Sequence, residues 1–380
     1  MSNKPIFVTA SNILSPIGLT ANDNFVQLTK SRSGIKKHQD ALLSKEPFYA
    51  SLFDNDNQFF RASDKHPYTK FEKLLIASIS EALQNNPIDT QDKNTILIIS
   101  STKGNISLLE SEVVDEDLKQ RVSLHASAKL VAAYFNLAHT PIIVSNACIS
   151  GLLAIITGKR LLQSGQYQHV IVAGADVISK FVLSGFQSFQ AISKHKCKPF
   201  DANRDGINLG EGAGTVILSS IKKNDEGITI SGGSISNDAN HISGPSRTGE
   251  ELNCAINKAM EEANITASQI GFISAHGTAT VYNDEMEANA ITLAGLQSVP
   301  VNSLKGYYGH TLGAAGIIEA IIAVYSLRQN IVLPTLGFTN IGVTKPINIC
   351  SSLYSTPLQN CLKTASGFGG CNAAIVIGKH

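Results

Sequence analysis

An excess of charge of either sign is missing from this sequence of 380 residues. The 31 lysine and arginine residues face 30 aspartate and glutamate residues, so the formal net charge is only +1. A protein-wide electrostatic field strong enough to hold nucleic acid is therefore not expected. Long apolar runs are missing as well. No segment reaches the ~20 uninterrupted apolar residues that cross a bilayer, so we expect no membrane span.

Paired cysteines of the CxxC type are also absent, although the chain contains six cysteines. Their irregular spacing predicts neither a zinc site nor a disulfide framework, and a reducing, cytoplasmic environment is expected. The first residues have the pattern of a strand and a turn rather than that of a signal peptide. No Gly-Lys-Ser/Thr phosphate-binding motif is present, and the glycine cluster at 210–214 leads into a strand pattern, which excludes a dinucleotide-binding turn.

Of the residues present, 43% are hydrophobic and only 16% are charged, and this composition predicts a large core rather than disorder. Short apolar runs rich in β-formers alternate with helical patterns, as in α/β folds with largely parallel sheets. The runs that predict buried strands are residues 95–100, 141–144, 169–173, 214–218, 271–275, 299–303 and 373–377. The patterns that predict helices are residues 71–84, 150–163, 252–263 and 314–328.

The two sides of a polar joint at residues 222–226 resemble each other. In each half a strand pattern enters a turn of small or polar residues and then a helix with a glycine-rich start, at 145–151 and again at 305–316. Each half also ends with a glycine cluster before an apolar strand. We therefore predict a duplicated α/β unit, divided into residues 1–226 and 227–380.

Cys148 is the sharpest candidate for chemistry. It lies between an apolar strand pattern and the start of the predicted helix 150–163, where a helix N-terminus lowers a thiol pKa. Gly151, in the first turn of that helix, indicates the close approach of another group. The alternative is that Cys148 is an inert small residue of the core, as most cysteines in apolar stretches are.

Two histidines and a lysine lie at comparable turns in the second half. His276 directly follows the strand pattern 271–275, at the end where α/β folds place their ligands. His310 precedes a glycine-rich helix start, and Lys305 lies five residues before it. Each histidine alone is typical of a hydrogen-bonded structural residue. A cysteine and histidines that meet only in space are, however, a candidate nucleophilic site.

Six motifs follow one another from about residue 6 to residue 379. They are 145–148 (Ser-Asn-Ala-Cys); 199–201 with 204–206 and 210–214; 237–241 (Asn-Asp-Ala-Asn-His); 276–280 with Asn283 and Asp284; Lys305 with Gly309, His310, 313–316 and Glu319; and 367–370 with Asn372. In these motifs the chain resembles the β-ketoacyl-acyl carrier protein synthases of the elongating, Cys-His-His type, which are condensing enzymes of the thiolase fold.

The resemblance implies a layered α/β/α/β/α sandwich built from two pseudo-symmetric βαβαβαββ halves. It implies a decarboxylative Claisen condensation, in which an acyl thioester on Cys148 reacts with malonyl-acyl carrier protein to give a 3-oxoacyl-acyl carrier protein. The pathway would be fatty acid synthesis or a specialised polyene or polyketide pathway. The implied partners are acyl carrier protein, whose phosphopantetheine arm carries the substrates, and a second copy of the chain in a homodimer. No resident cofactor and no metal are implied.

The resemblance also implies a role for each catalytic residue. Cys148 would be the nucleophile that accepts the growing acyl chain. His276 and His310 would promote decarboxylation of the malonyl group. Lys305 would support the second histidine, and Glu319 would be the buried acidic neighbour of this lysine.

Substrate contacts are implied for further residues. The backbone N–H groups of Cys148 and Phe368 would form an oxyanion hole, with Phe368 also gating the pocket. Thr278 and Thr280 would bind the phosphopantetheine arm. Lys103 occupies a position where the family often has an apolar residue of the acyl pocket. Either it lines that pocket and selects short, polar or unusual acyl chains, or it points to solvent.

Two other kinds of protein with this fold are alternatives. A thiolase would need a second active-site cysteine, for which Cys371 is the candidate. A chain-length factor, which is a non-catalytic partner subunit, usually lacks the nucleophile. The presence of Cys148 together with His276, His310 and Lys305 favours the decarboxylating enzyme over both.

Overall fold

In a computed structural model, the described part of the chain comprises residues 4–55, 68–110, 113–222, 227–239 and 244–380. Most of the polar joint that divides the predicted halves lies outside these ranges. The same holds for Asn240 and His241 of the third motif. The predicted boundary at residue 226 therefore stays a prediction.

Most described strands are buried and apolar; β4, for example, has the sequence TILIIS and is buried along its whole length, as expected of a strand covered on both faces. In chain order the strands are β1 (Phe7–Leu14), β2 (Lys36–His38), β3 (Phe48–Ser51), β4 (Thr95–Ser100), β5 (Ile142–Val144), β6 (His169–Asp176), β7 (Leu209–Gly210), β8 (Gly212–Ser219), β9 (Ile228–Asn237), β10 (Phe272–Ser274), β11 (Val301–Asn302), β12 (Ile331–Val332), β13 (Tyr354–Ser355), β14 (Asn360–Gly367) and β15 (Cys371–Lys379).

The helices begin in different ways. In chain order they are α1 (Ala21–Thr29), α2 (Lys70–Asn85), α3 (Glu116–Val122), α4 (Leu124–Tyr134), α5 (Ser150–Gln163), α6 (Lys180–Ser188), α7 (Glu250–Glu262), α8 (Val281–Leu293), α9 (Lys305–Tyr308) and α10 (Ala315–Gln329). Helix α2 starts with a capping box, in which the side chains of Thr69 and Glu72 each accept the other's backbone N–H. Helix α5 has no side-chain cap at its start, because its N-cap residue, Ile149, has no polar side-chain atom.

One large sheet contains ten strands in the order β11-β10-β14-β15-β9-β1-β8-β6-β4-β5. The five strands before residue 222 form one side, the five after residue 227 form the other, and they join where Phe7 pairs with Thr229. Both sides repeat one pattern, in which three parallel strands are followed by two antiparallel strands. In the first half the parallel strands are β5, β4 and β6, and the antiparallel strands are β8 and β1. In the second half the parallel strands are β11, β10 and β14, and the antiparallel strands are β15 and β9. The predicted duplication is therefore present in the sheet topology.

Helices α5 and α10 lie between the two sides of the sheet and contact strands of both, including β6 and β15 for α5 and β8 and β14 for α10. Helix α2 covers the outer face of the first half, and α7 covers that of the second. This arrangement confirms the layered α/β/α/β/α fold. A Cβ atom at Gly151 would lie 2.8 Å from the backbone nitrogen of Ile317, so the group that approaches this glycine is helix α10.

The segment Leu312–Gln329 is long and apolar enough, by length and composition alone, to cross a membrane. However, 83% of it is buried inside the protein, and it consists largely of the central helix α10. Its apolar character is therefore explained by its place in the core. The expectation that the chain has no membrane span remains a prediction.

Candidate active site

A tight turn between β5 and α5 places Cys148 at the carboxyl end of the parallel strands. Ala147 adopts a positive φ of 44°, which is a strained conformation for a residue other than glycine. The hydroxyl of Ser150 accepts the N–H of Asn146 (2.8 Å) and donates to the carbonyl of Ala147 (2.7 Å). These bonds hold the sulfur of Cys148 at a fixed, buried point beside the helix start.

The pKa of the Cys148 thiol is higher than expected from its position at a helix N-terminus. Burial raises the pKa of Cys148 to about 12, and the neighbouring Cys371 adds to the rise. The ammonium of Lys305 acts in the opposite direction without offsetting desolvation. The expected lowering of the thiol pKa is therefore wrong for this state, because removing the thiolate from water outweighs the helix field. Cys148 needs a base in order to react.

His310 provides a base within reach, because its Nε2 lies 2.9 Å from the Sγ of Cys148. The backbone of His310 is fixed on both sides: its N–H donates to the carbonyl of Asn208 (2.7 Å), and its carbonyl accepts the N–H of Gly210 (3.0 Å). A Cβ atom at Gly210 would lie 1.9 Å from the carbonyl oxygen of Tyr308, so only glycine fits at this position.

His276 lies beside His310, with the ring centroids 5.2 Å apart and the ring planes at 82°. The backbone N–H groups of His276 and Gly277 donate to the buried carboxylate of Glu287 at 2.8 and 2.6 Å. The ring nitrogens of the two histidines and the sulfur of Cys148 lie within 4.8 Å of one another. The structure thus brings together the three residues that the sequence singled out.

Both imidazole rings are neutral near pH 7. Burial lowers the pKa of His276 and of His310 well below the ordinary histidine value, and the ammonium of Lys305 lowers both further. The Nδ1 atom of each ring has no hydrogen-bond partner within the described ranges. A neutral imidazole can donate an N–H hydrogen bond while holding its proton more firmly than an imidazolium does.

Lys305 and Glu319 are buried beneath the two rings. The Nζ of Lys305 donates to the backbone carbonyl of His276 (3.0 Å) and to the carboxylate of Glu319. The direct contact of Lys305 is therefore with His276, whereas the resemblance implied support for His310. Lys363 pairs with the other carboxylate oxygen of Glu319 at 2.7 Å. Burial opposes ionisation of Glu319, but the two ammonium groups hold its pKa below the usual value.

The hairpin turn between β14 and β15 brings Phe368 to Cys148. The backbone N–H of Phe368 lies close enough to the sulfur of Cys148 to favour its thiolate and to act against the rise of its pKa. A Cβ atom at Gly367 would lie 2.9 Å from the backbone nitrogen of Cys148, so the two backbones touch. The glycine cluster 367–370 is thus a hairpin turn that also presents N–H groups at the nucleophile, an arrangement that can stabilise an oxyanion.

A cavity of about 490 Å³ opens onto the three reactive side chains. Thr278 and Thr280 line it, and their hydroxyl oxygens are 2.8 Å apart. The ring of Phe368 also lines the cavity and stacks on the ring of Phe186 at a centroid distance of 5.7 Å. The cavity is large enough for a slender chain with a few hydrogen-bonding groups.

Lys103 is not among the residues that line this cavity. Its side chain is exposed, and its Nζ lies 5.8 Å from the ring centroid of Phe181. The reason lies in the backbone, because the N–H of Lys103 and the hydroxyl of Ser101 both donate to the buried carboxylate of Asp176. Within one subunit, Lys103 therefore takes the solvent-facing position, which was the second of the two alternatives.

Three buried charged residues of the site were not predicted from the sequence: Asp176, Glu287 and Lys363. Asp176 ends β6 and accepts the N–H of Gly313 at 2.7 Å. Glu287 follows Asp284 by three residues on α8, and that helical spacing next to a motif residue was an available signal. Lys363 gave no signal, since a lone lysine in a short segment usually faces solvent.

The family description "Beta-ketoacyl synthase, N-terminal domain" matches residues 3–224, and "Beta-ketoacyl synthase, C-terminal domain" matches residues 228–339. The "3-oxoacyl-[acyl-carrier-protein] synthase 2" of Vibrio cholerae is 30% identical to the chain over 412 residues and covers 99% of each chain. The protein of the same name from Vibrio harveyi is 29% identical and covers 100% of this chain and 99% of the relative.

Among solved structures, the chain is similar to "The ishigamide ketosynthase/chain length factor", with a TM-score of 0.90, 22% sequence identity and 99% of each chain covered. At this identity the likeness concerns the fold alone. It agrees with the layered arrangement of two similar halves described above.

Proposed function

Because the chain belongs to the β-ketoacyl synthase family, we propose that Cys148 accepts an acyl group, which the chain then condenses with malonyl-acyl carrier protein to give a 3-oxoacyl-acyl carrier protein. The chain is an acyltransferase of the 3-oxoacyl-acyl carrier protein synthase type. The observation that carries the proposal is the 2.9 Å contact between the Sγ of Cys148 and the Nε2 of His310, with His276 alongside in one cavity.

The first half-reaction transfers the acyl group from its carrier to the enzyme. His310 takes the proton of Cys148, whose sulfur forms a new bond to the thioester carbonyl carbon. The backbone N–H groups of Cys148 and Phe368 stabilise the oxyanion. The bond to the carrier's pantetheine sulfur then breaks, and this sulfur leaves with the proton from His310. We assign binding of the pantetheine arm to the cavity hydroxyls of Thr278 and Thr280.

The second half-reaction starts with malonyl-carrier protein in the same cavity. The bond to the malonyl carboxylate breaks, CO₂ leaves, and its electron pair forms an enolate of the thioester. His276 and His310 donate N–H bonds to the enolate oxygen without giving a proton to the carbanion. The enolate carbon attacks the acyl carbonyl on Cys148, a C–C bond forms, and the bond between the acyl carbon and the Cys148 sulfur breaks. The released thiolate takes up a proton from solvent water in the cavity, as its raised pKa favours.

We also propose that this chemistry needs no resident metal or cofactor, since the thiol, the base and the N–H donors all belong to the chain. A cytoplasmic location is proposed as well. It is supported by the six cysteines, which are all free thiols, as expected in a reducing compartment.

The proposed function can be tested by measuring the intact mass of the protein after incubation with a panel of acyl-carrier proteins. The panel should contain saturated chains of several lengths and conjugated chains, because both kinds of pathway are open. We expect one acyl adduct per chain, which disappears when malonyl-carrier protein is added and CO₂ is released. Absence of any adduct together with absence of CO₂ release would contradict the proposal.

We propose that the acyl carrier protein docks near a basic loop beside the cavity. Lys194, Lys196 and Lys198 lie between residues 190–191 and 205–207, which line the cavity. Lys194 and Lys196 are exposed, so their charges are available to an acidic partner. A second basic group, formed by Arg61, Lys65, Lys70 and Lys73, is a weaker candidate. Its Lys70 is paired with Glu211 at 2.7 Å, and Arg61 and Lys65 lie outside the described residues.

Reversing the charges with the double variant Lys194→Glu/Lys196→Glu is expected to raise the KM for the acyl carrier protein about three- to tenfold, with little change in kcat. The effect should be larger at low salt, because salt screens exposed charges. The matched control is Lys258→Glu, an exposed lysine on α7 in the outer layer. An unchanged KM in the double variant would place the docking surface elsewhere.

We further propose that the chain forms a homodimer through the β5 edge of the large sheet. At the opposite end of the sheet, β11 is covered by the chain itself, since the N–H of Val301 donates to Asn348 and its carbonyl accepts from Cys350, both at 2.8 Å. Within the described ranges β5 pairs only with β4, and it is apolar. Such an open edge favours pairing with a symmetric partner.

Sedimentation or light scattering at micromolar concentration should therefore give twice the 40.5 kDa mass of one chain. Phe181, which belongs to the same half and is 56% exposed, tests whether further apolar surface of this half is buried in the dimer. Phe181→Asp is expected to shift the population toward monomer, whereas Leu42→Asp, at a residue 83% exposed on a different segment, should not. A monomeric mass for the parent protein would reject the dimer.

A further inference from the structure

Lys363 is a fully buried lysine in the middle of β14. Removing an ammonium group from water is costly unless opposite charges and hydrogen-bond acceptors surround it. A lysine in this position therefore needs a specific set of partners, and these partners indicate what the residue does.

The Nζ of Lys363 has four oxygen neighbours. It donates to the backbone carbonyls of Ser274 (3.1 Å), Ala275 (3.2 Å) and Thr364 (2.8 Å), and it pairs with the carboxylate of Glu319 at 2.7 Å. Burial lowers the pKa of Lys363, whereas the Glu319 carboxylate and the other acceptors around the nitrogen favour the ammonium form, which has three hydrogens to donate and no lone pair. Ser274 and Ala275 are the two residues immediately before His276, so Lys363 holds the backbone from which this histidine projects.

Lys363 also changes the balance of charge beneath the two rings. One carboxylate, that of Glu319, is shared by two ammonium groups, because Lys305 binds its other oxygen. The carboxyl groups of Glu287 and Asp284 on α8 and of Asp176 on β6 also lie near the site, and their oxygens accept backbone N–H bonds. Burial raises the pKa of Asp284 to about 7, and the guanidinium of Arg204 lies 3.8 Å from its carboxyl group.

We propose that Lys363 is a positioning residue, which fixes His276 through the backbone carbonyls of Ser274 and Ala275. Its charge, together with that of Lys305, keeps His276 and His310 as neutral N–H donors during decarboxylation. The inference rests on the proposed decarboxylation. It is supported by the electrostatics of the site, since burial lowers the pKa of both histidines, and Lys305 and Lys363 both add to the lowering.

A neutral ring and a protonated ring lead to different products. A neutral ring stabilises the enolate oxygen and leaves the carbanion free to attack the acyl group. A protonated ring is an acid strong enough to protonate the carbanion, which gives acetyl-carrier protein and no condensation. Loss of the Lys363 charge should therefore change both the pH dependence and the ratio of these products.

The test uses the full-length protein with Lys363→Met, which removes the charge, and with Lys363→Gln, which removes the charge but keeps donors for the carbonyls. The matched control is Lys159→Met, because Lys159 is another fully buried lysine, paired at 2.5 Å with Glu262 near the far end of α5. Decarboxylation of malonyl-carrier protein and formation of acetyl- and 3-oxoacyl-carrier protein are measured between about pH 5.5 and 8.5, the range in which histidines titrate.

The acid limb of the pH–rate profile is the range in which the decarboxylation rate falls as the pH is lowered. In both Lys363 variants we expect this limb to move to higher pH. The rate at pH 6 relative to that at pH 8 should fall about three- to tenfold, since a one-unit move of the limb changes proton occupancy up to tenfold. The fraction of acetyl-carrier protein should rise at low pH. Lys159→Met is expected to lose stability and to keep the parent profile and product ratio.

The inference is overturned if the folded Lys363→Gln variant keeps the parent profile and product ratio.

The parent protein gives an independent check that does not depend on folding of a variant. Its decarboxylation must persist below about pH 6.5, the ordinary histidine pKa, and an acid limb at that value contradicts the inference. A parent that neither loads acyl groups nor releases CO₂ refutes the proposed function instead, so the two failures are distinguishable.

Discussion

Cys148→Ala is expected to abolish acyl loading and to reduce condensation by a factor on the order of 10⁴ or more, the scale at which a covalent nucleophile contributes. The reason is that the sulfur of Cys148 lies 2.9 Å from the Nε2 of His310, beside the N–H of Phe368. Release of CO₂ from malonyl-carrier protein should survive in this variant, because that step uses the histidines and not the thiol. Intact-mass analysis and a CO₂ assay measure the two steps separately.

Cys371→Ala is the matched control, and it also tests the thiolase alternative. Cys371 is buried next to the active site, where its thiol is hydrogen-bonded to the carbonyl of Phe368 at 3.4 Å. If the chain were a thiolase, loss of Cys371 would be as damaging as loss of Cys148. We expect instead that Cys371→Ala still loads and condenses. Normal loading of Cys148→Ala would remove Cys148 from the role of acyl acceptor.

His276→Ala and His310→Ala are expected to slow decarboxylation of malonyl-carrier protein by ~10²–10³-fold each, as is typical when one donor to a developing oxyanion is removed. The two variants should differ in acyl loading. His276→Ala should load at nearly the parent rate, whereas His310→Ala should load more slowly because it lacks the base that contacts the thiol. Single-turnover loading followed by mass analysis separates these effects.

His139→Ala is a suitable control for the histidine variants, since His139 is only half-buried and its ring is hydrogen-bonded to the carbonyl of Lys93, outside the site. It should keep parent rates in both assays. A histidine variant of the active site that released CO₂ at the parent rate would lose its assigned role. Equal loading rates in His276→Ala and His310→Ala would show that His310 is not the base for Cys148.

Elements with a strong local pattern could be predicted from the sequence. The predicted helix 150–163 and strand 95–100 coincide with α5 and β4, because both are apolar runs with clear ends. Strands β9 and β14 were not predicted. Their sequences, ITISGGSISN and NCLKTASG, contain glycine and several polar residues, and they are largely buried because helices such as α7 and α10 pack on the sheet where they lie.

In the candidate site, too, properties that depend on packing between distant segments could not be predicted from the sequence. Motif residues such as Cys148 and His276 could be named from the sequence, and the structure brings them together. The pKa of Cys148 could not be predicted, because it depends on how far packing against the second half removes the sulfur from water. The burial of Lys363 could not be predicted either, since three of its four acceptors come from residues far away in the sequence, namely Ser274, Ala275 and Glu319.

The contact between Cys148 and His310 joins residues that are 162 positions apart, one in each half of the sheet. During synthesis the nucleophile therefore leaves the ribosome long before its base exists. A nascent chain that has folded only its first half carries the thiol but none of the groups that activate it. Contacts of this sequence separation form late and slowly. In a refolding experiment, acyl loading of Cys148 should thus lag behind the recovery of helical signal and mark the moment when the second half has docked.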